Sequence, residues 1–179
     1  MQLIIGLTGR KRHGKSFFCD YVKERLISDG RSVECINFKD PLLALALSIG
    51  WDGKKDEKGR LLLQRLGTDV VRECIDTNYW VKRWSERVAA CHTLVVLVDD
   101  VRFQNEAEAI KNFNSILVRV ITPDQDGEID NHPSEAGINP FYVDVTYNMR
   151  YGLKHIRSTV EEFYGTYILQ NRRLGDISG

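Results

Sequence analysis

The chain has 179 residues, of which 42% are hydrophobic and 28% are charged, and its 25 Lys and Arg residues balance 25 Asp and Glu residues. This length suits one domain with a buried core, so we expect one globular domain over residues 1–179. The balanced charge excludes a strongly basic nucleic-acid-binding or membrane-surface protein, and no stretch approaches the roughly 18 apolar residues that span a bilayer. We therefore expect a cytoplasmic protein whose partners are small molecules.

The apolar patterning predicts strands that alternate with helices. Strands are predicted at Gln2–Thr8, Ser32–Phe38, Leu94–Val98, Ser115–Ile121 and Val143–Tyr147. Helices are predicted at Ser16–Leu26, from Pro41 onward, over Leu61–Ala90 in one or two pieces, at Asn105–Asn112 and at Leu153–Leu169. Loops are predicted at Trp51–Arg60 and Thr122–Pro140. This alternation predicts an α/β fold with a five-stranded parallel sheet covered by helices on both faces.

The segment GRKRHGKS matches the phosphate-loop pattern GxxxxGK[S/T] and lies between a predicted strand and a predicted helix. The fold expected from this motif is the three-layer α/β/α arrangement of P-loop NTPases. Glycines let the backbone turn sharply and approach the phosphates, and the N–H groups of the loop lie at the positive end of a helix. The residues predicted to bind ATP are Gly9, Arg10, Lys11, Arg12, His13, Gly14, Lys15 and Ser16.

Two side chains of this motif have predicted roles in phosphoryl transfer. We expect Lys15 to place its charge between the β- and γ-phosphates and the Ser16 hydroxyl to bind Mg²⁺. A carboxylate at the end of a neighbouring strand would complete the metal site, and the strand at Leu94–Val98 runs into Asp99 and Asp100. Asp100 is the first candidate, and either carboxylate is also a candidate cap of the turn. Arg102 follows at the same edge and is expected to contact a phosphate.

The phosphate loop by itself does not distinguish an ATPase, a GTPase and a small-molecule kinase. The sequence contains no NKxD-type guanine signature, and the chain has little room for the extra segments of motor and helicase ATPases. A kinase that acts on a small acceptor fits best.

Three further segments resemble the bacteriophage deoxynucleoside monophosphate kinases. They are Gly59–Trp84, which contains LQRLGTD and YWVK, then Val95–Ala109, which contains DVR, and Asp130–Asn148, which contains HPSEAG. With the phosphate loop they occur in the order of that family and cover nearly the whole chain. The resemblance implies a nucleoside monophosphate kinase fold with a short lid loop, and transfer of the ATP γ-phosphate to a deoxynucleoside 5'-monophosphate with Mg²⁺ as cofactor.

The resemblance also implies site residues. It places Lys11 and Arg12 at the acceptor phosphate and Arg102 at the transferring phosphoryl group, so Lys15, Arg12, Arg102 and Asp100 are the expected catalytic residues. The expected acceptor-binding helical region spans about residues 41–90, and the further substrate-binding residues are Asp40, Arg60, Gln64, Thr68, Asp69, Trp80 and Glu135. Trp80 is a candidate either for the core or for base stacking. The lid is expected at about residues 122–140, a segment with no Arg or Lys.

Two alternatives remain at this point. One is a P-loop kinase of another small acceptor, either dephospho-coenzyme A or a phosphomevalonate-like molecule. An alcohol acceptor such as dephospho-coenzyme A would benefit from a carboxylate base, and Asp40 follows the second predicted strand at a suitable place. A nucleotide-binding protein without transferase activity is the other alternative. A homodimer is one expectation for the assembly, and the host cytoplasm is the expected location if the protein is encoded by a phage.

Overall fold

The computed structural model describes residues 2–10, 13–122, 137–149 and 153–169. Its strands are β1 (Leu3–Thr8), β2 (Val33–Cys35), β3 (Val95–Val101), β4 (Ser115–Ile121) and β5 (Val145–Asn148). Its α-helices are α1 (Lys15–Ser28), α2 (Asp40–Ser48), α3 (Glu57–Gln64), α4 (Tyr79–Ala90), α5 (Gln104–Lys111) and α6 (Leu153–Phe163). π-helical segments follow α3 at Arg65–Arg72 and α6 at Tyr164–Ile168. In this part of the chain, no helix is long and apolar enough to cross a membrane.

The five strands form one sheet in the order β2-β3-β1-β4-β5, and all neighbouring pairs are parallel. The predicted five-stranded parallel sheet is therefore confirmed. β1 lies at the centre, and Thr8 at its carboxyl end is in register with Val101 of β3 and Arg119 of β4. The chain consequently leaves β1 between the ends of two other strands, where parallel α/β sheets bind ligands.

Buried side chains form one core on each face of the sheet. All six residues of β1 are buried, and its alternating side chains enter both cores. On one face, α1 and α6 contribute Phe18, Leu26 and Phe163. On the other face, α4 and α5 contribute Trp84 and Ile110. This sandwich fixes the carboxyl edge of the sheet, where the phosphate loop begins.

The boundary between β2 and α2 differs from the sequence prediction. β2 ends at Cys35 and not at Phe38, while β3 continues to Val101, so that Asp99 and Asp100 lie inside the strand and not after it. The cause is the Asp100 carboxylate, which accepts hydrogen bonds from the backbone N–H groups of Phe38 and Lys39 at 3.1 and 2.8 Å. These two groups are thereby taken out of the strand ladder.

The helical region between α2 and α4 also begins earlier than predicted. Asp56 accepts a hydrogen bond from the Gly59 N–H at 2.8 Å and caps α3, so the predicted loop at Trp51–Arg60 ends before Glu57. The helical pattern predicted over Leu61–Ala90 in one or two pieces is interrupted at residues 75–78, where the Asn78 N–H donates to the Asp76 carboxylate. The other predicted elements lie close to the observed ones.

Candidate active site

The phosphate loop leaves β1 at Gly9. Gly9 has φ +140°, and a Cβ at this position would lie 2.1 Å from the backbone oxygen of Val120, so both the conformation and the close approach of β4 require glycine. Gly14 has φ +82° and directly precedes α1. A Cβ on Gly14 would meet no atom within 4 Å, so here the backbone conformation alone favours glycine. Gly9 is therefore required by both steric contact and backbone conformation, and Gly14 is favoured by backbone conformation alone.

The side chains at the start of α1 face this loop. The Lys15 ammonium donates hydrogen bonds to the backbone oxygens of Gly9 and Arg10, both at 2.7 Å, and so lies across the loop. Ser16 is exposed in the first turn of α1, next to the N–H groups of the helix N-terminus. His13 is buried, and its backbone oxygen accepts a hydrogen bond from the Thr122 hydroxyl at 3.3 Å. This arrangement offers a lysine and helix-terminal donors to an anion.

Asp99 and Asp100 at the end of β3 have different partners. Asp100 is buried and holds the backbone of the β2–α2 connection, and burial raises its pKa against the opposing effect of Lys39. Asp99 is half-buried, and its carboxylate binds the Lys39 ammonium at 2.5 Å. Burial lowers the pKa of Lys39, but Asp100 and Asp99 raise it more, so this lysine stays charged. Asp99 is therefore the more accessible of the two carboxylates.

A pocket of about 260 Å³ opens beside these residues, and we call it the strand-edge pocket. Its polar lining consists of Lys39, Lys55, Gln64, Thr68, Arg72, Asp100, Arg102 and Glu106. Its apolar lining consists of Phe38, Leu42, Leu43, Leu63, Gly67, Trp80 and Phe103. An apolar cleft with a few convergent polar groups is typical of small-molecule sites. The structure thus brings Gln64, Thr68, Trp80, Asp100 and Arg102, all predicted site residues, together in one pocket.

Trp80 is a core residue that also lines the pocket, and its role in base stacking stays a prediction. Its ring is buried and lines the pocket, and its indole N–H donates to the Gly67 oxygen at 2.9 Å. This bond ties α4 to the π-helical segment that carries Thr68. Trp84, four residues later, is fully buried and donates to the Ile36 oxygen at 2.9 Å, so it belongs to the core.

Other predicted substrate-binding residues are not in the pocket lining. Asp40 accepts hydrogen bonds from the Asn37 N–H at 2.9 Å and from Arg87 at 2.7 Å. Arg60 is exposed and donates to the Lys55 oxygen, and Asp69 is exposed. Their roles in substrate binding stay predictions.

Part of the predicted site and lid falls beyond what can be described. Lys11, Arg12 and Glu135 lie outside the described residues, as do residues 123–136 of the predicted lid. Their roles stay predictions.

Sequence reasoning missed ten residues of the lining, namely Phe38, Lys39, Leu42, Leu43, Lys55, Leu63, Gly67, Arg72, Phe103 and Glu106. A signal existed for one of them. Arg72 follows Thr68 by four residues within a predicted helix, which is a spacing that brings residues to one side of a helix. The contact between Arg72 and Glu106 themselves spans 34 positions and had no local signal.

Comparison with known proteins agrees with this geometry. A family model described as deoxynucleotide monophosphate kinase matches residues 45–158, which is more than half of the chain. The chain belongs to the deoxynucleotide monophosphate kinase family. A relative named as such a kinase in Acanthamoeba polyphaga mimivirus is 28% identical over 196 residues, which cover 93% of this chain and 94% of that protein. The deoxynucleoside-5'-monophosphate kinase of Escherichia phage T5 is 33% identical over 90 residues, which cover 47% of this chain and 36% of that enzyme. The resemblance seen in the sequence, and with it the expectation of a nucleotide kinase, is confirmed.

Solved structures show the same fold at low sequence identity. The APS kinase of Mycobacterium tuberculosis in complex with AMPPNP and APS has a TM-score of 0.52 and 15% identity, over 92% of this chain and 96% of its own. A putative kinase from Chloroflexus aurantiacus has a TM-score of 0.50 and 10% identity, over 92% and 97% of the two chains. The three-layer P-loop kinase fold expected for this family member is therefore confirmed.

Proposed function

We propose that this kinase transfers the γ-phosphate of ATP to a deoxynucleoside 5'-monophosphate held in the strand-edge pocket. The observation that supports this assignment is the position of the pocket. It opens at the carboxyl end of β3, beside the β1 end from which the phosphate loop leaves, so donor and acceptor would meet at one edge of the sheet. The family membership supports it further.

The donor side follows from the phosphate loop. Lys15 and the N–H groups at the start of α1 would neutralise the ATP phosphates. The Lys15 ammonium, which donates to the Gly9 and Arg10 oxygens in the structure, would then donate to the phosphates instead. Lys11 and Arg12 would reach the acceptor phosphate. Arg102, on the pocket wall at the end of β3, would stabilise charge on the transferring phosphoryl group.

The available donor atoms fit Mg²⁺. The ion usually keeps several waters and binds through one or two protein oxygens together with substrate phosphates, so it requires no cluster of carboxylates. The Ser16 hydroxyl and a carboxylate of β3 are such oxygens. Asp99 is the better candidate because Asp100 is buried and accepts two backbone hydrogen bonds, whereas Asp99 is more exposed and would exchange its ion pair with Lys39 for the metal. Bound Mg²⁺ would shield the phosphate charges.

The position of Asp40 favours a phosphate acceptor over an alcohol acceptor. A nucleoside monophosphate is largely a dianion at neutral pH, with a second pKa of about 6, so its oxygen needs no general base. An alcohol needs one. Asp40 is held by Arg87 and the Asn37 N–H and does not contribute to the described lining of the strand-edge pocket. Catalysis would then depend on alignment and charge neutralisation.

The decisive experiment measures ADP release from ATP and Mg²⁺ with each deoxynucleoside and ribonucleoside monophosphate and with dephospho-coenzyme A. We expect turnover with at least one deoxynucleoside monophosphate, and its loss in Lys15→Met. Turnover with dephospho-coenzyme A alone would assign the protein to the alcohol kinases. No turnover above the ATPase background with any acceptor would refute the proposal.

A further inference from the structure

The Glu106 carboxylate joins two walls of the strand-edge pocket. Glu106 lies in the first turn of α5, and its side chain is only 3% exposed. One carboxylate oxygen accepts hydrogen bonds from the backbone N–H groups of Arg102 at 2.8 Å and Phe103 at 3.1 Å. The other oxygen accepts from the Arg72 guanidinium at 2.5 Å. One side chain therefore fixes the turn after β3 and the end of the π-helical segment.

Arg72 extends this network to the α4 side of the pocket. Its guanidinium donates to the Thr77 oxygen at 3.1 Å and lies 3.9 Å from the centre of the Phe103 ring. Arg72 is buried, and it lines the pocket together with Phe103 and Glu106. Because a planar guanidinium donates in fixed directions, these contacts determine how Arg72 faces the pocket.

Stability alone does not account for this pair. Burial raises the pKa of Glu106 to about 7 and lowers that of Arg72, so the protein bears a desolvation cost to keep both charges inside. Well-packed apolar side chains often replace a buried ion pair without loss of stability. The pair is therefore weak evidence for stability, and its hydrogen bonds to two pocket walls indicate a role in geometry.

We propose that Glu106 is a positioning residue of the acceptor site, which acts through Arg72 and through the Arg102–Phe103 backbone. The inference rests on the proposed function and adds a residue with no assigned role. Arg72 and Phe103 form the wall against which the acceptor would lie, and the backbone of Arg102 sets the direction of its side chain. The donor nucleotide would bind to the phosphate loop. None of the Glu106 hydrogen bonds described above reaches that loop.

Two substitutions separate positioning from simple folding. Glu106→Asp keeps the charge opposite Arg72, but the side chain is one methylene shorter and cannot span all three donors. Glu106→Gln keeps the length but presents an amide N–H₂ to donors. Glu108→Gln is the matched control, because Glu108 is exposed on the same helix and binds Gln104 and Tyr142. Circular dichroism and thermal melting establish which variants fold.

The readout is the acceptor and donor kinetics of each folded variant. A displacement of about 1 Å in positioning groups costs on the order of 100-fold in rate, so we expect kcat/KM for the acceptor to fall about 10- to 100-fold. KM for ATP should change less than about twofold, and Glu108→Gln should match the parent on both measures.

Several results would overturn the inference. One is unchanged acceptor kinetics in a folded Glu106 variant, and another is an equal change in KM for the acceptor and KM for ATP. A third is failure of both variants to fold, because the carboxylate would then be needed for folding and not for positioning the acceptor site. If Glu106→Gln alone fails to fold, Glu106→Asp decides the question. Absence of turnover in the parent protein would refute the proposed function, whereas an active parent with unaffected variants would refute only the role of Glu106.

Discussion

Replacing Asp100 by Asn distinguishes a backbone clamp from a metal ligand. In the structure both oxygens of the Asp100 carboxylate accept backbone hydrogen bonds, from Phe38 and Lys39, in a buried environment. Hydrogen bonds to charged groups contribute about 1.5–3 kcal/mol each. Asparagine keeps one acceptor oxygen and turns its amide N–H₂ toward the other N–H. One hydrogen bond is lost, and one of the two backbone N–H groups then faces the amide N–H₂ of the asparagine, which is also a donor.

The expected loss is about 2 kcal/mol of the free energy of unfolding, because release of a buried charge offsets part of the lost bonding. For a protein of this size about 1 kcal/mol shifts Tm by 2–4 °C, so we expect Asp100→Asn to lower Tm by about 4–8 °C. Asp99→Asn is the matched control. Its ion pair with Lys39 is partly exposed and is worth at most about 1 kcal/mol.

The assay combines thermal and urea unfolding with a Mg²⁺ titration of kinase activity. We expect Asp100→Asn to lower Tm with little change in the Mg²⁺ concentration for half-maximal activity, and Asp99→Asn to raise that concentration about tenfold. An Asp100→Asn variant with parental Tm and a greatly raised Mg²⁺ requirement would refute the reasoning and return the metal site to Asp100.

Three further predictions concern other parts of the site. Gly9→Ala should fail to fold or lose ATP binding, while Gly14→Ala, which meets no neighbouring atom, should fold and lose only about 1 kcal/mol, as measured by urea unfolding. Trp80→Phe and Trp84→Phe each remove one buried N–H donor and should destabilise by about 1–2 kcal/mol, but only Trp80→Phe should raise KM for the acceptor in steady-state assays. Because its pKa is raised to about 7, Glu106 binds more protons in the folded than in the unfolded protein between about pH 4.5 and 7. The free energy of unfolding should therefore fall as the pH rises through this window. In Glu106→Gln the same rise in pH should lower the free energy of urea unfolding less than in the parent protein.

Local patterns were sufficient for much of the architecture. β1 was recognisable because a strand buried on both faces has an unbroken apolar run, and the phosphate loop because its glycines and lysine occur at fixed spacing. The resemblance to the family implied that Gln64, Thr68 and Trp80 lie on the acceptor side, and all three line the strand-edge pocket.

Contacts between distant segments were beyond such patterns. The end of β2 depends on Asp100, which is 62 residues from Phe38 and captures a backbone group that the sequence assigns to the strand. The burial of Arg72 against Glu106 was not predicted, because nothing within a helical turn of either residue indicates a partner 34 positions away. What the sequence could not supply was the tertiary partner that decides the role of each polar residue.

β1 and the β2–α2 segment are expected to differ in local stability. β1 is hydrogen-bonded on both sides and fully buried, so its amides should exchange with deuterium only through global unfolding. β2 has three residues and pairs with β3 alone among the described strands, and α2, which follows it, buries a single residue, Ala46. Amides of β2 and α2 should exchange with deuterium through local opening. The phosphate loop thus extends from a strand that we expect to open only on global unfolding, while the β2–α2 wall of the strand-edge pocket is expected to open locally.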